Sequence, residues 1–225
     1  MSNVPAIALN DGAASRSLVS AYSRLSPLEP LKAVTAALEI GYRHIDTAEM
    51  YGNEKEVGEG IRGAGLDRAD VFITSKLNNG SHKPDDARRA FDNTLKALES
   101  DYVDLFLIHW PLPTPLWRRL RDDLECTRGV RQGRTRPQHR VSNFQPAHLD
   151  RLAAESDTVP AVNQIEAHPY FTNEEVRAYG REHGIATEAW SPIAQGKVLV
   201  DPVIKRIADA AGRSPAGRVA VAHST

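Results

Sequence analysis

Apolar residues recur along this chain in two rhythms, and their alternation is the first structural signal. Residues 31–40 place apolar side chains at helical spacing and stop at Gly41, which predicts a helix. Residues 42–46 follow as a short strand. Residues 55–62 read as a helix that ends near Gly63 and Gly65. Residues 71–76 form a β-branched apolar run, the pattern of a strand covered on both faces. Residues 84–98 read as a helix with Asp85 and Asp86 in its first turn, where carboxylates suit the helix dipole. V-D-L-F-L-I-H (103–109) is another buried strand. After a gap the rhythm resumes, with helix 146–154, strand 161–165, helix 174–183, strand 185–190 and helix 201–211. Repeated β–α units imply a parallel sheet with right-handed crossovers. The strand count favours a closed (β/α)8 barrel over an open doubly wound sheet, and no GxGxxG segment supports the open form.

Two stretches break the rhythm, 13–30 and 115–140. The second carries Arg118, Arg119, Arg121, Arg128, Arg131, Arg134, Arg136 and Arg140 without an apolar period, and reads as a solvated basic loop. So long a structureless loop is unusual inside a compact domain.

The chain has 225 residues, which predicts a single domain, 1–225. It is 41% hydrophobic and 25% charged, the make-up of an ordinary globular protein. A formal net charge of −1 gives no reason to expect nucleic acid or a membrane as partner. The lone Cys126 forbids an internal disulfide and lacks a base partner for nucleophilic work. The first residues lack the basic and apolar regions of a secretion signal, and no apolar run is long enough to span a bilayer, so a cytoplasmic location is expected. His82, His139, His148, His168, His183 and His223 show no ligand spacing, and no metal is expected.

Titratable and polar residues cluster where strands end: Asp46, Lys76, His109, Asn143, Gln164 and Trp190. In a parallel barrel those ends form the active face. Asp46, Tyr51, Lys76 and His109 would then converge. A lysine cation lowers the pKa of a nearby phenol, an aspartate keeps the lysine charged, and a histidine orients a carbonyl oxygen. Such a group can protonate an oxygen while hydride reaches its carbon. Taken singly, each residue has a plainer account. Asp46 serves as a cap, Tyr51 anchors a turn before Gly52, Lys76 is a solvated strand end, and His109 is a core histidine. An isomerase using Lys76 and Asp46 also stays open on spacing alone.

Longer motifs narrow the field. G-Y-R-H-I-D-T-A (41–48), Y-G-N-E (51–54), F-I-T-S-K-L (72–77) and D-L-F-L-I-H-W-P (104–111) resemble the signature segments of aldo-keto reductases. V-S-N-F (141–144), V-N-Q-I-E-A-H-P (162–169) and W-S-P-I-A-Q-G-K (190–197) add three more in the family's order. The likeness is closest to the bacterial 2,5-diketo-gluconate reductase branch. It implies a (β/α)8 barrel reducing a small-molecule aldehyde or ketone with NADPH, as a monomer. Tyr51 is similar to the family's general acid. Asp46 and Lys76 match the pair that tunes it, and His109 matches the residue that orients the substrate carbonyl. Ser142, Asn143 and Gln164 resemble the side chains that hold the nicotinamide carboxamide, and Trp190 the aromatic that stacks on the ring. Ser191, Pro192, Ile193, Gln195 and Gly196 resemble the loop over the cofactor's pyrophosphate. Asn78 stands where relatives often carry an aromatic residue, so the substrate is not legible.

The resemblance covers about 1–12, 31–114 and 141–215, and stops abruptly at three places. The family's first strand, the region from its fourth helix to its fifth strand, and its eighth strand are altered or missing, so the barrel is expected to be incomplete. One hypothesis covers all three: reading-frame shifts in the coding DNA. Codons for residues 19–24, read two bases on, give F-G-V-F-Q, like the first strand. An incomplete barrel predicts poor folding and weak NADPH binding, and leaves an inactive remnant of a reductase as the alternative.

Overall fold

The computed structural model describes residues 6–10, 14–16, 20–21, 28–111, 140–155, 159–217 and 219. Most of the arginine-rich stretch, Cys126, His139 and His223 lie outside them. A short antiparallel hairpin pairs β1 (Ala6–Ala8) with β2 (Ala14–Arg16). One seven-stranded sheet then runs in chain order: β3 (Ser20–Ala21), β4 (His44–Asp46), β5 (Phe72–Leu77), β6 (Leu105–Ile108), β7 (Arg140–Ser142), β8 (Val162–Glu166) and β9 (Ala186–Trp190). Every neighbouring pair in it is parallel. The helices are α1 (Leu28–Glu39), α2 (Glu54–Gly63), α3 (Pro84–Leu98), α4 (Pro146–Glu155), α5 (Glu174–Glu182), α6 (Lys197–Val200) and α7 (Pro202–Ala210). The predicted strands and helices fall on these to within a few residues. The position of the first barrel strand is filled by the two-residue β3, whose Ala21 aligns with Asp46, so that strand is altered rather than missing. No eighth strand occurs among the described residues.

The sheet curls. Gln164 on β8 donates to Asp46 on β4 at 2.7 Å, yet a flat sheet would hold those strands roughly 19 Å apart at about 4.8 Å per strand. Only a barrel-like curvature brings them together. This is the (β/α) barrel architecture that the alternating pattern predicts, incomplete among the described residues as the family resemblance implies.

Strand period sorts the side chains into an inside and an outside. On β5, Ile73 and Leu77 face outward into a cluster with Val34, Leu38, Val57, Ile61, Phe91 and Leu98 from the helices. Phe72 faces inward against Leu105, Leu107, Val162 and Leu9. Above that apolar floor, the inward positions turn polar toward the strand ends: Asp46, Lys76 and Gln164 are all buried. Asn10, just after the hairpin's first strand, donates to the carbonyls of Pro160 at 3.1 Å and Gly184 at 3.0 Å, pinning the hairpin to the turns that precede β8 and β9. Close packing of α2 on the end of α3 demands Gly58, where a Cβ would lie 2.4 Å from the Leu98 carbonyl oxygen.

Candidate active site

Asp46 ends β4 and Lys76 lies one residue from the end of β5, on strands that pair in register. Lys76 Nζ donates to Asp46 Oδ1 at 2.5 Å and to the Thr47 carbonyl at 2.9 Å. Both side chains are 1% exposed, so the pair holds a desolvated cation that would be costly unpaired. Burial alone would pull the Lys76 pKa down, but Asp46, Tyr51 and Glu188 together hold it above the usual lysine value.

Tyr51 closes the 3-10 turn Glu49–Tyr51, which Gly52 ends at φ 66°, a left-handed conformation suited to glycine. The Glu49 carboxylate accepts from the Asn78 backbone N–H at 3.1 Å, tying that turn to the end of β5. The half-buried Tyr51 ring meets His109 edge to face with centroids 5.8 Å apart, and Lys76 Nζ lies 5.3 Å from its centroid. The structure thus brings Asp46, Tyr51, Lys76 and His109 together. It corrects one expectation. Burial raises the Tyr51 pKa above the ordinary phenol value and outweighs the Lys76 cation that lowers it. His109 is pushed down to about 4 by burial and by Lys76, so its imidazole is neutral at pH 7. Its Nδ1 is buried without a hydrogen-bond partner among the described residues.

A second polar network continues across β7, β8 and β9. Asn143, at φ 66°, donates through Nδ2 to the His109 carbonyl at 2.9 Å and to Ser142 Oγ at 3.1 Å. Its Oδ1 accepts from Trp190 Nε1 at 2.9 Å. Ser142 Oγ donates to the Gln164 carbonyl at 2.9 Å. Gln164 Nε2 donates to Asp46 Oδ2 and, at 2.6 Å, to Glu188 Oε1. Facing two carboxylates fixes which end of that amide is nitrogen. Ser142, Asn143, Gln164 and Trp190 therefore adjoin the first four residues. Ser191, Pro192, Ile193, Gln195 and Gly196 form the following loop, where Ser191, Gln195 and Gly196 all have positive φ.

Glu188 and His44 were missed by sequence reasoning. His44 is buried beneath Asp46 and shares a 2.7 Å hydrogen bond with Thr74. Strand parity could have found both residues: each lies two positions before a recognised site residue, hence on the same face. Among the described residues no group of three His, Cys, Asp or Glu could hold a metal ion. None of the described helices is long and apolar enough to cross a membrane.

A parallel, barrel-like sheet with an ammonium, a phenol, an imidazole and two amides gathered at its strand ends defines a class: an α/β protein of barrel type with a polar cluster at one mouth. The particular family follows from comparison. The model of the Aldo/keto reductase family matches residues 15–203, and the chain belongs to that family of oxidoreductases. Morphine 6-dehydrogenase of Pseudomonas putida is 44% identical over 226 residues, covering 94% of this chain and 75% of that protein. The crystal structure of an aldo/keto reductase from Brucella melitensis superposes with a TM-score of 0.83 at 44% identity, covering 96% of this chain and 83% of that one. A Bombyx mori aldo-keto reductase solved in complex with NADP gives 0.83 at 32% identity, covering 96% and 78%. The family acts on small-molecule carbonyl compounds with nicotinamide cofactors of the NAD(P) type.

Proposed function

We propose that this chain is an NADPH-dependent reductase of aldehydes and ketones, working as a monomeric, single-domain unit in the cytoplasm. The observation that carries the reading is the buried Lys76 ammonium, gripped by Asp46 at 2.5 Å and lying beside the Tyr51 ring. Bound NADPH supplies a hydride. The residues supply everything else. Tyr51, a phenol protonated at neutral pH and held further so by burial, gives its proton to the carbonyl oxygen. Neutral His109 offers that oxygen an N–H and sets its direction. Lys76 stabilises the phenolate left behind, and Asp46 holds Lys76 in place.

The cofactor residues suit a carboxamide. Asn143 and Gln164 direct their amide hydrogens at protein acceptors, so the Gln164 oxygen and the second lone pair of Asn143 Oδ1, which already accepts from Trp190, remain to receive the carboxamide N–H. Trp190 is partly exposed and held by Asn143, which fits a platform for the nicotinamide ring. Ser191, Pro192, Ile193, Gln195 and Gly196 present a turn of left-handed backbone that suits the pyrophosphate.

The test is loss of NADPH absorbance on adding α-ketoaldehydes and diketones, 2,5-diketo-gluconate among them. Turnover by the wild-type chain is expected. In Tyr51→Phe the rate should fall by about 10³-fold or more while NADPH binding stays unchanged. Equal turnover in the phenylalanine variant would remove Tyr51 from the mechanism.

A further inference from the structure

Two carboxylates share one amide inside the barrel, and only one of them belongs to the proton-transfer group. Gln164 Nε2 carries two hydrogens and directs one to Asp46 Oδ2 at 2.7 Å and the other to Glu188 Oε1 at 2.6 Å. Gln164 is 3% exposed, so neither hydrogen has a ready substitute in water. We propose that Glu188 is a positioning residue: it holds the Gln164 amide so that the oxygen faces the nicotinamide carboxamide and the nitrogen stays on Asp46. This rests on the reductase reading above.

Glu188 lies on β9 two residues before Trp190, hence on the same face, and opposite Gln164 in the β8–β9 register. Asp46 alone fixes one end of the amide nitrogen and leaves rotation about that contact. A second acceptor on the neighbouring strand removes the rotation. The groups around Glu188 are His44 and Asp46 from β4, Lys76 from β5 and Gln164 from β8, and burial among them raises its pKa. In either protonation state the Oε1 atom can accept from Gln164. The hydrogen bond rather than the charge is therefore the functional element.

Two variants separate these. Glu188→Gln keeps an acceptor oxygen at the same reach, whereas Glu188→Thr is too short to touch Gln164. NADPH affinity is read from quenching of tryptophan fluorescence, which needs no turnover, and folding from thermal unfolding of each variant. Glu188→Thr should weaken NADPH binding about tenfold, and Glu188→Gln should stay within about twofold of wild type. Unchanged affinity in the threonine variant overturns the proposal. So does a glutamine variant as weak as the threonine one, since the charge would then matter, and that arm holds even if the threonine variant unfolds. Failure of the wild-type chain itself to bind NADPH would instead sink the reductase reading, and this inference with it.

Discussion

Strands β5 and β9 are both parallel and each carries a site residue near its C-terminal end, yet they live in different surroundings. All six residues of β5 are buried, whereas β9 has none fully buried. β5 has β4 and β6 on its flanks and helices α2 and α3 over its outer face. Among the described residues β9 pairs with β8 alone. In a barrel a strand is buried by its neighbours rather than by its own hydrophobicity, so the same fold is solid on one side and wetter on the other. The division has a chemical counterpart. Asp46, Tyr51, Lys76 and His109 come from the β4–β6 side, whereas Trp190 and the 191–196 loop follow the less covered β9; Ser142 and Gln164, on β7 and β8, are as buried as Lys76.

The strongest way to break this contrast is to unpair the buried charge. Lys76→Met leaves Asp46 buried without its cation and should destabilise the chain by about 3–5 kcal/mol, read from denaturant unfolding. Asp46→Leu combined with Lys76→Met removes both charges and should recover much of that loss. A single Lys76→Met variant as stable as wild type would show that the pair is not buried in solution.

A milder comparison sets one side chain in each half against the other. Ile73→Ala on β5 empties a buried position and should cost about 2–5 kcal/mol. Thr187→Ala on the exposed face of β9 should change stability by about 0.5 kcal/mol or less. Equal losses would mean that β9 is covered as fully as β5.

The two halves also differed in how far the sequence reveals them. The apolar run L-F-L-I announces β6 because both faces are covered, and the His109 that follows marks its end; in F-I-T-S-K-L the apolar start announces β5, with Lys76 just inside its end. His109 was legible for that reason, and Asp46, Lys76 and Gln164 because each falls at or near the end of a predicted strand. β3 has two residues, too few for any alternation to register. β9 reads A-T-E-A-W, and Glu188 within it looks like a solvated edge residue until the curl of the sheet carries Gln164 and Asp46 to it. Long-range closure is a property of strand number and curvature, and no local pattern encodes it. The lysine effect on Tyr51 was likewise read from charge alone, because burial is not visible in a sequence.

The smallest expected effect concerns pH, and it tests whether burial or charge governs the solid half. Tyr51 is raised, so it stays protonated through neutral pH, the form a general acid needs. His109, at about 4, stays neutral above pH 5 or so. Carbonyl reduction should therefore keep a nearly constant kcat/KM between about pH 6 and about pH 9. Alcohol oxidation needs the phenolate, whose fraction grows about tenfold per pH unit below the pKa, so the reverse rate should climb throughout that range. Stability runs the other way at the acid end. A folded-state pKa below the unfolded value means that the native state binds fewer protons. The His109 contribution is then present above about pH 6.5 and is lost as pH falls from there through about 4. A basic limb near pH 8 in the reduction profile would show that the Lys76 cation outweighs burial at Tyr51, and the ordering of those two effects in the solid half would have to be reversed.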